Sequence, residues 1–247
     1  MCDTRGAGAQ VVSAGRNSRM LRYREIEQPR QLVRWLRREM RTMGFYARFV
    51  LPRLIDLVMR DKEAARLRAA WIPRASGEVL ELGAGSGLNF PFYSRDVRRV
   101  FALDPSRELQ RMARANAAGL RLNVEFVEQS ADEPLQLDAE SIDTVVTTWS
   151  LCSIPIVTRA LDHVRRVLKP QGRLIFVEHG RAPDGGVIAW QNRITPLWRR
   201  VAGGCHLNRK IDEILAGAGF EITELTTGYL PGLRPMTYTY QGAARPR

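Results

Sequence analysis

In the stretch Val79-Leu80-Glu81-Leu82-Gly83-Ala84-Gly85-Ser86-Gly87 an acid comes just before three glycines at alternate positions. Glycine there lets the chain turn tightly and lets a ligand approach the backbone with no Cβ in the way. A dinucleotide loop, G-x-G-x-x-G, would need its third glycine at position 88, which is Leu88. The spacing is G-x-G-x-G instead. Glu81 would gain nothing beside a pyrophosphate, whereas a cationic ligand would favour it. Asp104 follows Gly83 by 21 positions. A carboxylate there can accept both hydroxyls of a ribose, and it can also cap a helix at Pro105. Among the few thiols and imidazoles, His179 could take a proton from an acceptor, or it could be a hydrogen-bonded structural side chain. His206 leaves the same two readings open. Cys2, Cys152 and Cys205 are far apart and form no C-x-x-C pair, so spacing indicates neither a disulfide framework nor a zinc site. Cys152 and Cys205 read as apolar fillers.

These groups need a scaffold of alternating strands and helices, which implies a parallel α/β sheet. Strands are expected at 78–82, 99–103, 123–127, 144–148, 173–178, 220–226 and within 236–240. Helices are expected at 106–118, 156–168 and 209–218, and another should start over 88–93, delayed by Pro91. The stretch between strand five and the helix at 209 reads as irregular. Ahead of the sheet, residues 1–28 form a basic tail without periodicity that reads as disordered. Residues 29–75 form a helical extension. Within it Leu32, Trp35, Leu36, Met40 and Met43 share one face of a helix crowded elsewhere by arginine. A basic amphipathic helix of this kind can lie on a membrane surface or pack on its own domain as a lid. A richly apolar helical stretch over 45–59, kinked or restarted at Pro52, and a helix over 61–71 follow.

The chain of 247 residues carries a formal charge of +12. Residues 1–75 hold 17 of the 38 Arg and Lys but only 7 of the 26 Asp and Glu, so the basic character belongs to the extension and residues 76–247 are nearly neutral. Only three of the basic residues are Lys. That skew often reflects genome composition, so it is discounted as a sign of phosphate recognition. No stretch approaches the roughly 18–20 uninterrupted apolar residues of a membrane span, and the first residues have no apolar signal core. A reduced, cytoplasmic compartment, with peripheral membrane contact through residues 29–59 as an option, is the expectation. Nothing in the sequence bears on oligomeric state.

The glycine loop with its preceding acid, and Asp104 after strand two, resemble the S-adenosylmethionine (SAM) site of class I methyltransferases. The resemblance implies a Rossmann-like, seven-stranded, mostly parallel sheet with helices on both faces. It also implies SAM as cofactor, with its ammonium group near Glu81. The contacts it implies are Glu81, Gly83, Ala84, Gly85, Gly87, Asp104, Pro105, Ser130, Ala131, Asp132 and Thr148, with Ser130 and Asp132 beside the adenine. Val164-Arg165-Arg166-Val167-Leu168-Lys169-Pro170-Gln171-Gly172 looks like the turn before strand five in the small-molecule branch, with Gln171 in place of a usual glycine. Leu151-Cys152-Ser153, Phe176-Val177-Glu178-His179, Trp198 and Gly204-Cys205-His206-Leu207-Asn208-Arg209 resemble the proteins related to mammalian alkyl thiol methyltransferases.

That kinship implies methyl transfer to a small-molecule acceptor, a small thiol first. Acceptor contacts are expected from Trp149, Ser150, Cys152, Cys205, His206 and Asn208, with His179 as the candidate catalytic group and no metal. A thiol has a pKa near 8.5 and needs little help from a base. The alternative acceptor is a lipid, quinol or other apolar molecule at a membrane surface. Methylation of nucleic acid is disfavoured, because Thr148-Trp149-Ser150-Leu151 lacks the Asn/Asp-Pro-Pro-aromatic stretch of base-nitrogen methyltransferases.

Overall fold

The computed structural model describes residues 44–247. The tail and the basic helix expected over 29–43 lie outside them. A π-turn at Tyr46–Val50 runs into α1 (Leu51–Val58), with Pro52 in its first turn, where a missing N–H costs nothing. Asp61 caps α2 (Lys62–Trp71) by accepting from the Glu63 and Ala64 amides. The sheet then begins with β1 (Gly77–Leu82) and β2 (Val97–Leu103), followed by α3 (Arg107–Ala117), which Ser106 caps. Next come β3 (Val124–Val127), β4 (Ile142–Thr148), α4 (Val157–Val167) and β5 (Leu168–His179). The chain closes with α5 (Gly185–Val201), α6 (Ile211–Gly217), β6 (Phe220–Tyr229), a single turn α7 (Arg234–Thr237) and β7 (Tyr238–Pro246).

The seven strands lie in the order β3-β2-β1-β4-β5-β7-β6. The first five are parallel, while β7 runs antiparallel to both β5 and β6. Strand period two splits each buried strand between two layers. Leu80, Leu82, Val145, Leu174 and Phe176 pack with α4 and α6 on one face. Val79, Val146, Ile175 and Val177 pack with Leu67 and Trp71 of α2 and Ala113 of α3 on the other. Glu81 shares the second face with Val79, so it is a carboxylate set into an apolar layer and must find polar partners.

Three expectations are corrected. No helix grows from 88–93: Gly87 and Pro91 leave only a 3₁₀ turn at Phe90–Phe92. The stretch after strand five holds a 17-residue helix, α5, which Gly185, Gly186 and Pro196 disguised. Strand seven extends to Pro246, hidden by Gly242-Ala243-Ala244, whose small side chains let β7 sit between two neighbours.

Candidate active site

Order 3-2-1-4-5 places the ends of β1, β2, β4 and β5 along one crevice, where open α/β sheets bind ligands. Gly83, Gly85 and Gly87 all have φ between +56° and +79°, a region that costs other residues about 1–2 kcal/mol. A Cβ on Gly83 would lie 2.5 Å from the Ser150 Cβ, and one on Gly87 would enter the Phe90 ring. At Gly85 a Cβ would approach only the Gly83 carbonyl, at 3.9 Å, so it would project into open space beside the loop. A ligand lying against this loop would need such space. Asp104, 6% exposed, lies beside the loop. Its two oxygens accept from the Gly85 amide at 3.0 Å and the Ser106 amide at 2.8 Å, so one carboxylate ties the glycine loop to the start of α3. Burial raises its pKa against those two hydrogen bonds.

Glu81 is 1% exposed and accepts from Asn89 Nδ2 and the Tyr93 hydroxyl, each at 2.8 Å. Burial pushes its carboxyl up to about 7, against the pull of Tyr93, Asn89 and Arg68. Asn89 extends the network, donating to Thr148 Oγ1 at 3.0 Å and accepting from Arg68 Nε at 3.1 Å. The buried Arg68 guanidinium also donates to the Met59 carbonyl and lies 5.0 Å from the centre of the Trp149 ring. Sequence reasoning missed Arg68, Asn89 and Tyr93. The tertiary fold alone brings Arg68 from α2 to the strand ends, whereas Asn89 and Tyr93 stand in the short turn after the loop. From above, α1 covers the loop: Asp56 accepts from the Ser86 hydroxyl at 2.6 Å and pairs with Arg60.

At the end of β4, Trp149 holds φ +50°, a conformation costly for a bulky side chain and common at binding sites. Ser150, expected at the acceptor, is 8% exposed. Its hydroxyl bonds the Leu82 carbonyl at 2.8 Å and Thr147 Oγ1 at 2.6 Å. Its geometry is that of a strut beneath Gly83. Glu178 Oε1 gathers the Thr147 hydroxyl and the Ser150 and Leu151 amides, which fixes this turn. Ser130 donates to Asp132, whose other oxygen takes the Ile156 amide at 3.3 Å. Ala131 is buried in the same core layer as Phe101 and Leu103, and Pro105 separates Asp104 from the helix cap.

Cys152, His179 and Cys205 come together although the sequence scatters them. His179 Nε2 lies 2.9 Å from Cys205 Sγ, and the two sulfurs and the ring nitrogen lie within 4.8 Å of one another. Leu207, Ile194, Trp198, Ala202 and Met236 enclose the cysteines. Hydrogen bonding from Cys205 pulls the Cys152 thiol down, and His179 adds to this. His206 turns its Nδ1 to the Cys152 carbonyl at 3.1 Å. Arg209 holds the Leu151 and Ile154 carbonyls, which locks the two loops together. Asn208 instead bonds the exposed Asn192.

Comparison with known proteins agrees with this geometry. A family model described as a methyltransferase domain matches residues 80–176. Human thiol S-methyltransferase TMT1B is 39% identical over 151 residues, 59% of this chain and 62% of that protein. Human thiol S-methyltransferase TMT1A is 33% identical over 175 residues, 68% of this chain and 71% of that protein. The matches span about three fifths of the rat, human and mouse TMT1B sequences, at 61%, 62% and 63%. A crystal structure of a SAM-dependent methyltransferase from Thermotoga maritima superposes with a TM-score of 0.59 at 19% identity, covering 83% of this chain and 99% of that one. The strand order, the acid-preceded glycine loop, Asp104 and these relatives agree: the chain belongs to the class I methyltransferase family, together with the thiol S-methyltransferases TMT1A and TMT1B.

Proposed function

We propose that the chain moves a methyl group from SAM to the sulfur of a small thiol. The observation that carries this reading is the crevice itself. Along it, the glycine loop with open space at Gly85, tied to Asp104 at the ends of β1 and β2, stands on the same strand-end side of the sheet as the two sulfurs and the imidazole at the ends of β4 and β5. Likeness to TMT1A and TMT1B supports the choice of sulfur as acceptor atom. Bound against the glycine loop, the cofactor would supply a sulfonium methyl already activated for in-line displacement.

What the chain contributes is binding and orientation. Asp104 has a carboxylate in place for ribose hydroxyls, and its hold on the Gly85 amide sets the loop that would pass under the amino-acid part. Glu81 offers a buried carboxyl that ionises to meet the ammonium, with Asn89 and Tyr93 fixing its rotamer. Trp149 and the Cys152–His179–Cys205 corner line the acceptor side. The products are a methyl thioether and S-adenosylhomocysteine, and the thiol proton leaves to solvent. The test is S-adenosylhomocysteine formation from SAM with hydrogen sulfide and small alkyl thiols against a no-acceptor control.

A second reading, an apolar acceptor presented at a membrane surface, is favoured by one observation. Phe45, Leu54, Leu57 and Val58 stand exposed along the π-turn and α1, Leu57 by 69%. No described helix is long and apolar enough to cross a membrane, so that contact would be peripheral. Turnover that needs detergent or vesicles, with none on soluble thiols, would select it.

A further inference from the structure

The geometry points to a metal-binding site at Cys152, His179 and Cys205, suited to zinc, with its fourth position open to the acceptor thiol. The second half rests on the thiol reading above; the first does not. Two sulfurs and one imidazole form a ligand set of the Cys₂His kind that zinc takes. With Zn–S near 2.3 Å and Zn–N near 2.0–2.1 Å, a tetrahedral ion spaces its ligand atoms by about 3.5–3.8 Å. The three atoms here lie within 4.8 Å of one another, and the 2.9 Å between His179 Nε2 and Cys205 Sγ would open by less than about 1 Å. Side-chain rotation can supply a shift of that size.

The backbone holds the corner without help from an ion. The three ligands stand on the turn after β4, the last residue of β5 and the loop after α5. The Trp149 amide bonds the Val177 carbonyl at 2.8 Å, the His206 amide bonds the Cys152 carbonyl at 2.9 Å, and the Gly180 amide bonds the Tyr238 carbonyl at 3.0 Å. His179 Nδ1 has no partner among the described residues, so the sulfur corner supplies the ring's polar contact. Two thiolates and a neutral imidazole would cancel the charge of a divalent ion, which suits the apolar wall of Leu207, Ile194 and Trp198.

A zinc site that only braces a fold is usually closed by four protein ligands, whereas one that does chemistry keeps a place for an exchangeable group. Three ligands are present, so the fourth place of a tetrahedral ion is not filled by a described residue of this cluster, and His179 is the one ligand of the three that is partly exposed. A thiol entering that place would bind as thiolate, its proton going to solvent, and would stay a nucleophile below its own pKa. His179 is then a ligand rather than a proton acceptor, and the spacing rule that set a zinc site aside fails because sheet order, not sequence distance, brings the ligands together.

The test uses the full chain, purified under reducing conditions, stripped of metal and titrated with cobalt(II) or zinc(II). Uptake near about one equivalent, with a thiolate-to-cobalt charge-transfer band and the intense visible bands of a tetrahedral ion, is expected. Cys152→Ser with Cys205→Ser should lower uptake at least tenfold, while Cys2→Ser leaves it unchanged. SAM calorimetry on the same samples reports whether the variants fold. No uptake by the reduced wild-type chain, or equal uptake by the double variant, would overturn the site. A small alkyl thiol should shift the visible cobalt bands; unshifted bands overturn the open position and leave the metal site standing. A metal-loaded chain that yields no methyl thioether overturns the thiol reading and, with it, the acceptor half alone.

Discussion

Glu81 carries the most informative charge in the site. Its carboxyl, raised to about 7 by burial, is mostly neutral at pH 6 and must ionise to meet a cationic ligand. Because its folded pKa lies above the unfolded value, its contribution to stability is present in acid and lost as pH rises through about 7. Ligand affinity runs the other way. Between pH 5.5 and 7, where the ammonium of SAM stays protonated, calorimetric affinity should rise on the order of tenfold, with proton release. Glu81→Gln should flatten that dependence, and a flat wild-type profile would remove the ammonium from Glu81. Asp104→Ala should weaken SAM binding by at least about tenfold, roughly 1.4 kcal/mol for a charged hydrogen-bond acceptor. Unchanged calorimetric affinity would sink the ribose assignment. Both acids were legible in the sequence because each stands at a strand end next to a glycine or proline signal. Arg68 was not legible: an arginine on a helix ahead of the sheet reads as solvated, and only the fold shows it buried against Asn89 and Trp149.

At the scale of elements, the glycine loop separates folding from binding. Gly85→Ala adds a Cβ to open space at φ +56° and should cost about 1–2 kcal/mol of stability while blocking the space beside the loop. Gly83→Ala meets Ser150 Cβ at 2.5 Å as well and should cost about 3 kcal/mol or more. Denaturant melts and SAM titration of the two variants check this: Gly85→Ala should stay folded and lose SAM affinity, and a Gly85→Ala chain that binds SAM normally would show that the cofactor lies elsewhere. The parallel strands were legible from their continuous apolar runs. Helix α5 was not, since Gly185, Gly186 and Pro196 are breakers by local rules and the helix's buried residues, Gln191 and Thr195, are polar, so no apolar face marks it. Gln191 spans three segments, accepting from the Ala182 amide and donating to the Gly180 and Pro235 carbonyls.

For the whole molecule, the asymmetry is one of charge along the chain: a basic segment precedes a nearly neutral sheet domain. Phe45, Leu54, Leu57 and Val58 are exposed beside Arg48 and Arg53, a pairing that suits anionic lipid. On the membrane-contact reading, the full chain should co-sediment with vesicles containing phosphatidylserine, and Leu57→Asp with Val58→Asp should lower the bound fraction several-fold. A chain that never sediments would leave α1 as a cover for the glycine loop alone. The fold class was legible because alternation of strands and helices is a local pattern. The convergence of Cys152, His179 and Cys205 was not, because it depends on β4 and β5 being neighbours in space.

The central claim is methyl transfer to sulfur. Its most direct test is S-adenosylhomocysteine release from SAM with hydrogen sulfide and a few alkyl thiols, read by mass spectrometry with the matching methylated product, methanethiol from hydrogen sulfide and a methyl thioether from each alkyl thiol. The account predicts both products above a no-acceptor control, and their loss in Asp104→Ala. SAM binding confirmed in the same sample, with neither product formed from any thiol, would contradict it.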